Sequence, residues 1–474
     1  MSKDIKRIIA LAACLMMVFA LAACGGGGGG GGGGGEEPAP PPAADPKPDE
    51  PVAEGGGDRV TVTYSMWGDT NELDTLLRVI EKFESEQDQI HVEAIQIDRG
   101  EYEAALNTMA VGGGLPDTAI MAEPQVISWA EQGMLLPAGD MFAGFPEAPI
   151  DQLAFRWGGE TVGYSVSNEI LNLYYNRAKF AEAGVDVPPA SVADAWSWDE
   201  FIDVAKTMTI DANGNNAHSA AFDANNVAQY GVMFDPAIWM LEAWTLSNNG
   251  GFYDPADPNS VTIDQPAATD AIQMIAGLHL VHKVSPRFGT NSEAQIDTYL
   301  LNDAAMYVQG QWAVGVWLGA AKNSDGLDYG VGVLPTMKRN VTVGTGGVNV
   351  TFASSKNQDA AKEWLAWYAQ VENSWDLIES GIWMPIFPVW YTDDAKMHEW
   401  AGGPNFPPFE EYKSAVIDYA KNTAEPAAWY WVNNTDKFND VLATALAPVW
   451  TGQSTAQDAI DGAMNALNAA NKGN

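Results

Sequence analysis

The sequence predicts an α/β fold organised as two large domains. Val60–Met66 alternates in polarity and is rich in β-branched residues, which is typical of a strand. Glu72–Glu84 follows with apolar residues at helical spacing, and this order of strand and helix then repeats. The chain from Asp58 to Asn474 is long enough to bury two hydrophobic cores.

The N-terminus has the layout of a secretory signal peptide. Lys3, Lys6 and Arg7 precede a short apolar run, Ile8–Ala23, and Cys24 ends a Leu-Ala-Ala-Cys sequence. This ending resembles a lipobox, in which the cysteine receives lipid and becomes the first mature residue. We therefore predict a signal peptide over residues 1–23 and lipidation of Cys24. An ordinary cleaved signal with an incidental cysteine is the alternative.

Cysteine usage and the segment after Cys24 define what the mature protein contains. Cys14 would leave with the signal peptide and Cys24 would be the anchor, so the folded part has no thiol for a disulfide, a nucleophile or a metal. Residues 24–57 are rich in Gly, Pro and Glu and predict a disordered tether. No later run approaches the roughly 18 apolar residues of a membrane-spanning helix.

The net charge of the chain is −38, and it becomes −40 without the signal peptide, which carries Lys3, Lys6 and Arg7 against Asp4. Because nucleic-acid phosphates would be repelled, this charge argues against a nucleic-acid partner. The charge favours solubility and gives only weak support for a cationic ligand. The 18 tryptophans suit a secreted protein that stacks aromatic rings on sugars.

The remaining elements follow from periodicity and from turn residues. The predicted strands are Ile90–Ile97, Thr118–Met121, Gly159–Ser165, Ile170–Tyr175, Gln229–Val232, Ala305–Val308, Asp328–Leu334 and Val341–Phe352. The predicted helices are Glu101–Ala110, Trp198–Met208, Ile238–Ser247, Ala267–His282, Ala294–Asn302, Gln358–Gln370, Glu410–Lys421, Lys437–Ala447 and Ala456–Ala470. Ser197 is placed to cap the helix that follows it.

Two stretches carry a family resemblance. The first is AAMYVQGQWAVGVWL, Ala304–Leu318, and the second is VGTGGVNVTFASS, Val343–Ser355, which precedes a helical run. Together they resemble the carbohydrate-binding, family 1 class of bacterial extracellular solute-binding proteins, the receptors of ABC importers, which are similar to maltose-binding protein. LYYNRAKFAEAGV, Leu173–Val185, is similar to the strand-to-helix segment with which the family enters its second lobe. The usual Gly-Pro-Trp step of the family has Gln311 in place of proline.

The resemblance implies a type II periplasmic-binding-protein fold with two lobes, hinge strands and a ligand cleft between the lobes. Lobe one would comprise residues 58–165 with 343–375, and lobe two residues 166–342 with 376–474. The implied function is capture of a carbohydrate, as an oligosaccharide, for delivery to an ABC permease. The protein would be a monomer held on the outer face of the cytoplasmic membrane, with no cofactor and no catalytic activity.

Candidate ligand-binding residues combine flat aromatic faces with planar polar groups that can bind sugar hydroxyls. The candidates fall into four groups. They are tryptophans next to turns or glycines, carboxylates near the carboxyl ends of strands, a Tyr-Asn pair that is usual in the family, and glycines that expose backbone N–H groups. The predicted residues are Trp67, Asp69, Asp117, Glu123, Tyr175, Asn176, Trp239, Gly310, Trp312, Gly346, Gly347, Trp383 and Trp429.

No catalytic or metal-binding motif is apparent. The serines lack a Gly-x-Ser-x-Gly elbow, and the five histidines form no zinc-type motif. Asp211–Asn216 superficially resembles a calcium loop, but Asn216 and Phe222 occupy the positions that require Gly and Glu. Two alternatives stay open: a receptor for a polyamine, peptide or other cationic solute, and a secreted carbohydrate-active enzyme, since a glycosidase needs only two carboxylates.

Overall fold

Two β-sheets with helices packed against them form the part of the chain that the computed structural model describes, residues 59–68, 70–234, 236–288 and 295–473. The predicted signal peptide, Cys24, the tether and Asp69 lie outside these residues. Within the described ranges, no helix is both long enough and apolar enough to cross a membrane.

The first sheet has six strands in the order β2-β1-β3-β14-β5-β4. Its strands are β1 Val60–Trp67, β2 Ile90–Ile97, β3 Thr118–Met121, β4 Ala154–Trp157, β5 Glu160–Ser165 and β14 Val348–Thr351. The first three strands are parallel, as the strand–helix order predicted. The last three run antiparallel to their neighbours.

The second sheet is built around β6, Glu169–Asn176, whose residues are all buried. Its path is β15-β13-β6-β11-β8-β7, and β12 also pairs with β6. The other strands are β7 Ile210–Asp211, β8 Val227–Met233, β11 Ala304–Gly310, β12 Tyr329–Gly332, β13 Thr342–Thr345 and β15 Ala424–Pro426. A separate hairpin pairs β9 Tyr253–Asp254 with β10 Asp257–Val261.

The helices agree with the predicted periodicity in most places. They are α1 Thr70–Glu86, α2 Tyr102–Gly112, α3 Glu123–Glu131, α4 Arg177–Ala183, α5 Trp198–Met208, α6 Ile238–Ser247, α7 Pro266–Leu280, α8 Ile296–Thr298, α9 Gly319–Ser324, α10 Gln358–Tyr368, α11 Trp375–Glu379, α12 Asp394–Ala401, α13 Phe409–Tyr412, α14 Tyr419–Asn422, α15 Thr435–Trp450 and α16 Ala456–Asn471. Ser197 caps α5 in a full capping box with Glu200, as predicted for this position.

Three predicted elements are divided in the structure, and one of them is the described part of the helix Ala294–Asn302, which is α8 followed by a π-helical stretch, Tyr299–Asp303. The predicted strand Val341–Phe352 is β13 and β14, which belong to different sheets. The predicted strand is interrupted at Gly346, whose φ of +129° is disfavoured for any residue with a side chain. The predicted helix Glu410–Lys421 contains a π-helical stretch, Lys413–Asp418, between α13 and α14.

The chain passes between the two sheets near the same place more than once. It leaves the first sheet after β5 and enters the second at β6, and it returns between β13 and β14. Trp383, further along, packs against both clusters of buried apolar side chains. These passages put residues from distant parts of the sequence next to one another, and the lobe boundaries derived from the sequence stay a prediction.

Candidate functional site

The return passage at Gly346 is held to the first sheet by a carboxylate. Glu123, the first residue of α3, directly follows β3, and its Oε1 accepts hydrogen bonds from the Gly346 backbone N–H at 2.8 Å and from the Thr345 hydroxyl at 2.6 Å. Gly346 has no room for a side chain, because a Cβ there would lie 2.7 Å from the Ser165 Oγ. Glu123 thus ties the end of a parallel strand to the passage between the sheets.

A second carboxyl group, that of Glu169, lies beside this contact. Glu169 begins β6, pairs in register with Thr345 on β13 and is only 6% exposed. Burial raises the pKa of Glu169 to about 8, and the nearby Glu123 and Glu72 carboxylates add to the effect while a hydrogen bond with Ser167 opposes it. Burial also raises the pKa of Glu123, against the hydrogen bonds from Thr345 and Gly346.

Trp67 forms an aromatic wall on the first-sheet side. It ends β1, and its ring contacts Gly347 so closely that a Cβ on that glycine would lie 2.4 Å from the indole. Tyr102 meets the indole edge-to-face at 5.3 Å, and the Arg99 guanidinium lies 4.7 Å from its centroid. The sequence correctly placed Trp67 and Glu123 at the carboxyl ends of parallel strands.

A pair of tryptophans forms a wall on the second-sheet side. The last pair of the β11–β6 ladder is Gly310 with Leu171, and Gln311 N–H donates to the Ile170 carbonyl at 3.0 Å. Trp312 comes one residue later and folds over Gly310, where a Cβ would be 2.0 Å from the indole. Its ring contacts Trp239 of α6 at a centroid distance of 5.5 Å.

Gln311, the residue that replaces the family's proline, links this turn to the segment that carries Trp383. Its Nε2 donates to the Gly381 carbonyl at 3.0 Å and to the Tyr412 hydroxyl at 2.9 Å. The Gln311 side chain is fully buried, and its Oε1 has no hydrogen-bond partner. Trp383 contacts Tyr368 of α10 at 5.2 Å.

The ladder of the second sheet connects the two walls. Residues Glu169 and Ile170 of β6 have Thr345 and Gly344 on one side and the Gly310–Trp312 turn on the other. One strip of neighbouring residues, joined by contacts and by the chain itself, therefore runs from Trp67 through Gly347, Gly346 and Glu123 to Glu169, and then through Gln311 to Trp312 and Trp239. This strip brings together seven of the predicted residues: Trp67, Glu123, Trp239, Gly310, Trp312, Gly346 and Gly347.

Three other predicted residues have their side chains engaged within the fold. Asp117 precedes β3, so it lies at the amino end of that strand, which corrects the placement beside Glu123. Its carboxylate accepts hydrogen bonds from the backbone and hydroxyl of Thr63, both at 2.9 Å, and from Ser355 at 2.6 Å. Burial would raise the pKa of Asp117, but these hydrogen bonds outweigh burial and lower it.

Tyr175 and Asn176 lie at the end of β6 that is remote from Glu169. The Tyr175 hydroxyl donates to Glu411 at 3.2 Å. Asn176 caps α4 by accepting from the Lys179 N–H, and its Nδ2 donates to the Leu300 carbonyl. These contacts favour a role in the second sheet for the Tyr-Asn pair. Trp429 is buried, and its Nε1 has no hydrogen-bond partner.

The sequence did not indicate Glu169, Arg99 or Tyr430 as site residues. Tyr430 is buried, packs on Phe155 of β4 at 4.4 Å, and senses the charge of both Glu123 and Glu169. A carboxylate that opens an apolar strand, as Glu169 does, is a signal that could have been used. Nothing near Tyr430 in the sequence points to its neighbours, which lie more than two hundred residues away.

Asp211 organises the turn that superficially resembles a calcium loop. The Asp211 Oδ1 accepts from the N–H groups of Asn213 and Asn215, and its Oδ2 accepts from that of Asp223. Burial would raise the pKa of Asp211, but these hydrogen bonds outweigh it, stabilise the turn and lower the pKa to about 2. Across the described ranges, no group of three or more His, Cys, Asp or Glu residues could hold a metal.

Sequence comparison places the chain among binding proteins. The profile described as "Bacterial extracellular solute-binding protein" matches residues 78–408. The "Multiple sugar-binding protein" of Streptococcus mutans is 29% identical over 162 residues, which is 32% of this chain and 34% of that protein, so the match spans about a third of that relative. The "Putative ABC transporter periplasmic-binding protein YcjN" of Escherichia coli is 20% identical over 328 residues, 65% of this chain and 69% of that one.

Solved structures agree in fold. An ABC substrate-binding protein from Listeria monocytogenes in complex with cycloalternan has a TM-score of 0.72 and 18% identity over 87% of this chain and 99% of that one. A solute-binding protein from Thermotoga lettingae with α-D-tagatose has a TM-score of 0.72 and 20% identity over 87% and 100%. The maltotriose-bound MalE domain from Bdellovibrio bacteriovorus has a TM-score of 0.67 and 18% identity over 87% and 99%.

These likenesses confirm the predicted two-lobed α/β fold, and the profile covers well over half of the chain. The chain belongs to the family of bacterial extracellular solute-binding proteins.

Proposed function

We propose that this protein is the extracellular receptor of an ABC importer and that it delivers a carbohydrate, as an oligosaccharide, to a membrane permease. The observation that carries the proposal is the strip at the passage between the sheets, which has Trp67 at one end, the Trp239–Trp312 pair at the other, and Glu123 and Glu169 between them along the chain of contacts. Flat apolar rings suit pyranose faces, and buried carboxyl groups suit sugar hydroxyls.

The family membership and the sugar ligands of the structural neighbours support the same proposal. Cycloalternan, α-D-tagatose and maltotriose are the ligands named for three of those proteins. The fold supplies a mechanism, since a ligand that contacts walls on both sheets would shift the population towards a closed arrangement. Binding alone does this, and no bond in the sugar needs to break.

We also propose two lobes close to the predicted boundaries, residues 58–165 with 343–375 and residues 166–342 with 376–474, except that β13 belongs to the second sheet, so the return to lobe one falls at Gly346. The Cys24 anchor is part of the proposal, because a lipid on this residue would keep a diffusible receptor close to its permease. A Cys24→Ser variant expressed in the native host should appear in the culture medium or the soluble fraction. Retention of this variant in the membrane fraction would contradict the anchor.

The receptor proposal is tested by thermal unfolding and calorimetry of the full-length protein with a panel of oligosaccharides, monosaccharides, amino acids and polyamines. A ligand that binds only the folded state stabilises it by about 2.7 kcal/mol at a hundred times its Kd. We expect one class of sugar to raise the unfolding midpoint. Trp312→Ala should lower the affinity for that sugar roughly 10- to 100-fold, because it removes about 2 kcal/mol of apolar contact.

Trp157→Ala is the matched control, since this tryptophan is also partly exposed but lies on the edge strand β4. It should leave the affinity for the sugar unchanged. Binding of a polyamine without any sugar would favour the cationic-solute alternative. If the wild-type protein hydrolyses an oligosaccharide and substitution of Glu123 or Glu169 abolishes that activity, the carbohydrate-active enzyme becomes the better interpretation and the receptor is wrong.

A further inference from the structure

A side chain of the protein itself covers one face of Trp67. Trp67 ends β1 and pairs in register with Ile97, the last residue of β2, so both strands end at the same edge of the first sheet. Arg99 follows two residues after Ile97, and its guanidinium lies over the indole at 4.7 Å from the ring centroid, which is a cation–π geometry. A stacking surface that the proposed function needs is therefore occupied.

Two other neighbours of the Trp67 ring are fixed parts of the fold. Tyr102 meets the indole edge-to-face at 5.3 Å, is fully buried, and donates its hydroxyl to the Ser65 hydroxyl at 3.1 Å. Gly347 is also buried, and a Cβ there would lie 2.4 Å from the indole. Neither residue can move aside without the loss of close packing. Access to the half-buried ring is therefore on the side where Arg99 lies.

Arg99, in contrast, is free to swing away from the ring. Its side chain is 51% exposed and extends from the turn between β2 and α2. Glu103 of α2, four residues further on, accepts a hydrogen bond from the guanidinium and holds it over the indole. An exposed ion pair and an exposed cation–π contact each contribute little free energy. A sugar ring that stacks on Trp67 can offset the loss of both contacts.

We infer that Arg99 is a gate over Trp67, which covers the indole in the unliganded receptor and swings away when a sugar ring stacks there. This inference rests on the proposed function and adds a residue that sets the affinity of its site. The contact is self-inhibitory, because the covered form cannot stack the sugar and its stability lowers the apparent affinity. Removal of the guanidinium should raise the affinity for the sugar, whereas removal of a residue that contacts the sugar would lower it.

Isothermal titration calorimetry of the full-length protein with maltotriose, cellotriose and xylotriose tests the gate. Arg99→Ala should raise the affinity for the trisaccharide that binds by about two- to five-fold, the range expected from the loss of an exposed cation–π contact. Arg156→Ala is the matched control, since Arg156 of β4 is also exposed and also pairs with a nearby acid, Asp151. The control should leave the affinity unchanged.

Glu103→Gln separates release of the gate from an effect of net charge. The variant lacks the carboxylate that pairs with Arg99, so the guanidinium is held less firmly over Trp67 and the affinity should rise by up to about three-fold. Arg99→Ala removes a positive charge, and Glu103→Gln removes a negative one. A change of net charge would act in opposite directions in the two variants, whereas release of the gate raises the affinity in both.

Two further measurements show whether the gate acts through the Trp67 ring. In a Trp67→Ala background, Arg99→Ala should change the affinity by less than about 1.5-fold, because no ring is left to uncover. Hydroxyl-radical footprinting requires neither a sugar nor a variant of Trp67. Oxidation of Trp67, measured by mass spectrometry, should be faster in Arg99→Ala than in the wild type, while oxidation of Trp157, which is partly exposed on β4, should be the same.

The outcomes distinguish the gate from the function on which it rests. If a trisaccharide binds Arg99→Ala as tightly as the wild type, or more weakly, the gate is wrong and the sugar receptor stands. If Trp67 is oxidised equally fast in both proteins, Arg99 does not cover the ring and the inference is wrong. If no carbohydrate of the panel binds either protein, the carbohydrate receptor fails and the gate fails with it.

Discussion

Glu123 Oε1 and the backbone N–H of Gly346 are joined by a hydrogen bond of 2.8 Å between residues more than two hundred positions apart. Glu123 follows a strand of the first sheet, and Gly346 comes directly after Thr345, which makes the last pairing of β13 with β6 before the chain returns. The bond therefore holds the chain in place where it passes from the second sheet back to the first. Any movement of one sheet against the other must preserve this contact or break it.

We expect Gly346→Ala to destabilise the protein by about 2–4 kcal/mol. The φ of +129° is unfavourable for alanine, and the added Cβ would lie 2.7 Å from the Ser165 Oγ and 2.8 Å from the Ser167 carbonyl oxygen. Denaturant unfolding measures the change. Gly113→Ala is the control, because Gly113 has a φ of +69° with nothing near its Cβ position, so it should cost only about 1 kcal/mol. Equal costs for the two variants would show that the close contact is absent.

Gln311→Leu should weaken binding of the sugar and lower stability by about 1–3 kcal/mol. The substitution leaves the buried Tyr412 hydroxyl and the Gly381 carbonyl without the Nε2 donor that now joins them. Because Trp312 follows Gln311 and Trp383 follows Gly381 closely, the two aromatic rings would lose their fixed spacing. Calorimetry and denaturant unfolding check the two effects. Gln453→Leu, at an exposed position, should show neither, and an unchanged affinity in Gln311→Leu would remove Gln311 as a positioning residue.

Local patterns in the sequence predicted the elements well where apolar residues follow one spacing along a single strand or helix. The β-branched alternation of β1 and the apolar stripe of α1 each face one core, so their boundaries could be found. Val341–Phe352 keeps the same alternation through two sheets, and only the backbone angle at Gly346 separates them. Periodicity does not encode which sheet a strand joins, and that is why this element was predicted as one strand.

The site was harder to predict because its members are neighbours only in space. Trp312 was identified from a local Gly-x-Trp step, and Glu123 from its place after a strand. Glu169 and Tyr430 acquire their roles from residues that lie far away in the sequence. Asp117 was misplaced although its position in the sequence was informative, since a residue that precedes β3 must lie at the amino end of that strand.

Stability should fall as the pH rises from about 5 to 8, in part through Glu242. Its carboxyl group is buried and accepts from the Ala428 N–H, and burial raises its pKa from 4.5 to about 8. Between these values the folded protein keeps a proton that the unfolded chain has lost, so unfolding becomes easier by up to about 1.4 kcal/mol per pH unit for this group. Below the lower value both states are protonated and the slope vanishes.

Denaturant unfolding at a series of pH values measures this slope. Glu242→Gln cannot titrate, so it should make the curve flatter, and Glu182→Gln, at an exposed acid on α4, should leave the slope as it is. Glu169, with a pKa also raised to about 8 by burial, should contribute a similar slope. A Glu242→Gln variant whose stability falls with pH as steeply as that of the wild type would contradict the burial of Glu242 as a neutral acid.

Asp117→Asn should reduce stability by about 2 kcal/mol and leave the affinity for ligand within about two-fold. The carboxylate accepts from Thr63 and Ser355, and an amide presents an N–H group to some of these donors. Since hydrogen bonding lowers the pKa of Asp117, its contribution is present at neutral pH and is lost as the pH falls through the folded-state pKa. As the pH falls, the wild type should therefore lose stability through protonation of Asp117 as well as of its other acids. The variant has no such group at this position, so its stability should fall less steeply at low pH. A large loss of affinity in the variant would instead return Asp117 to the binding site.

The Trp239–Trp312 pair is expected to act as one binding surface, and a double-mutant cycle tests this. The rings are 5.5 Å apart at an angle of 41°, so each supports the position of the other. Replacement of either tryptophan by alanine should lower the affinity for the sugar roughly ten-fold or more. The loss of binding free energy in the double variant should be smaller than the sum of the two single losses by about 0.5–1.5 kcal/mol. Calorimetry of the four proteins with the sugar found by the panel gives the coupling. Because Trp312 comes from the end of β11 and Trp239 from α6, additive losses would mean that the two rings contact the sugar independently, and the close approach of Trp312 to Gly310 alone would then set its orientation.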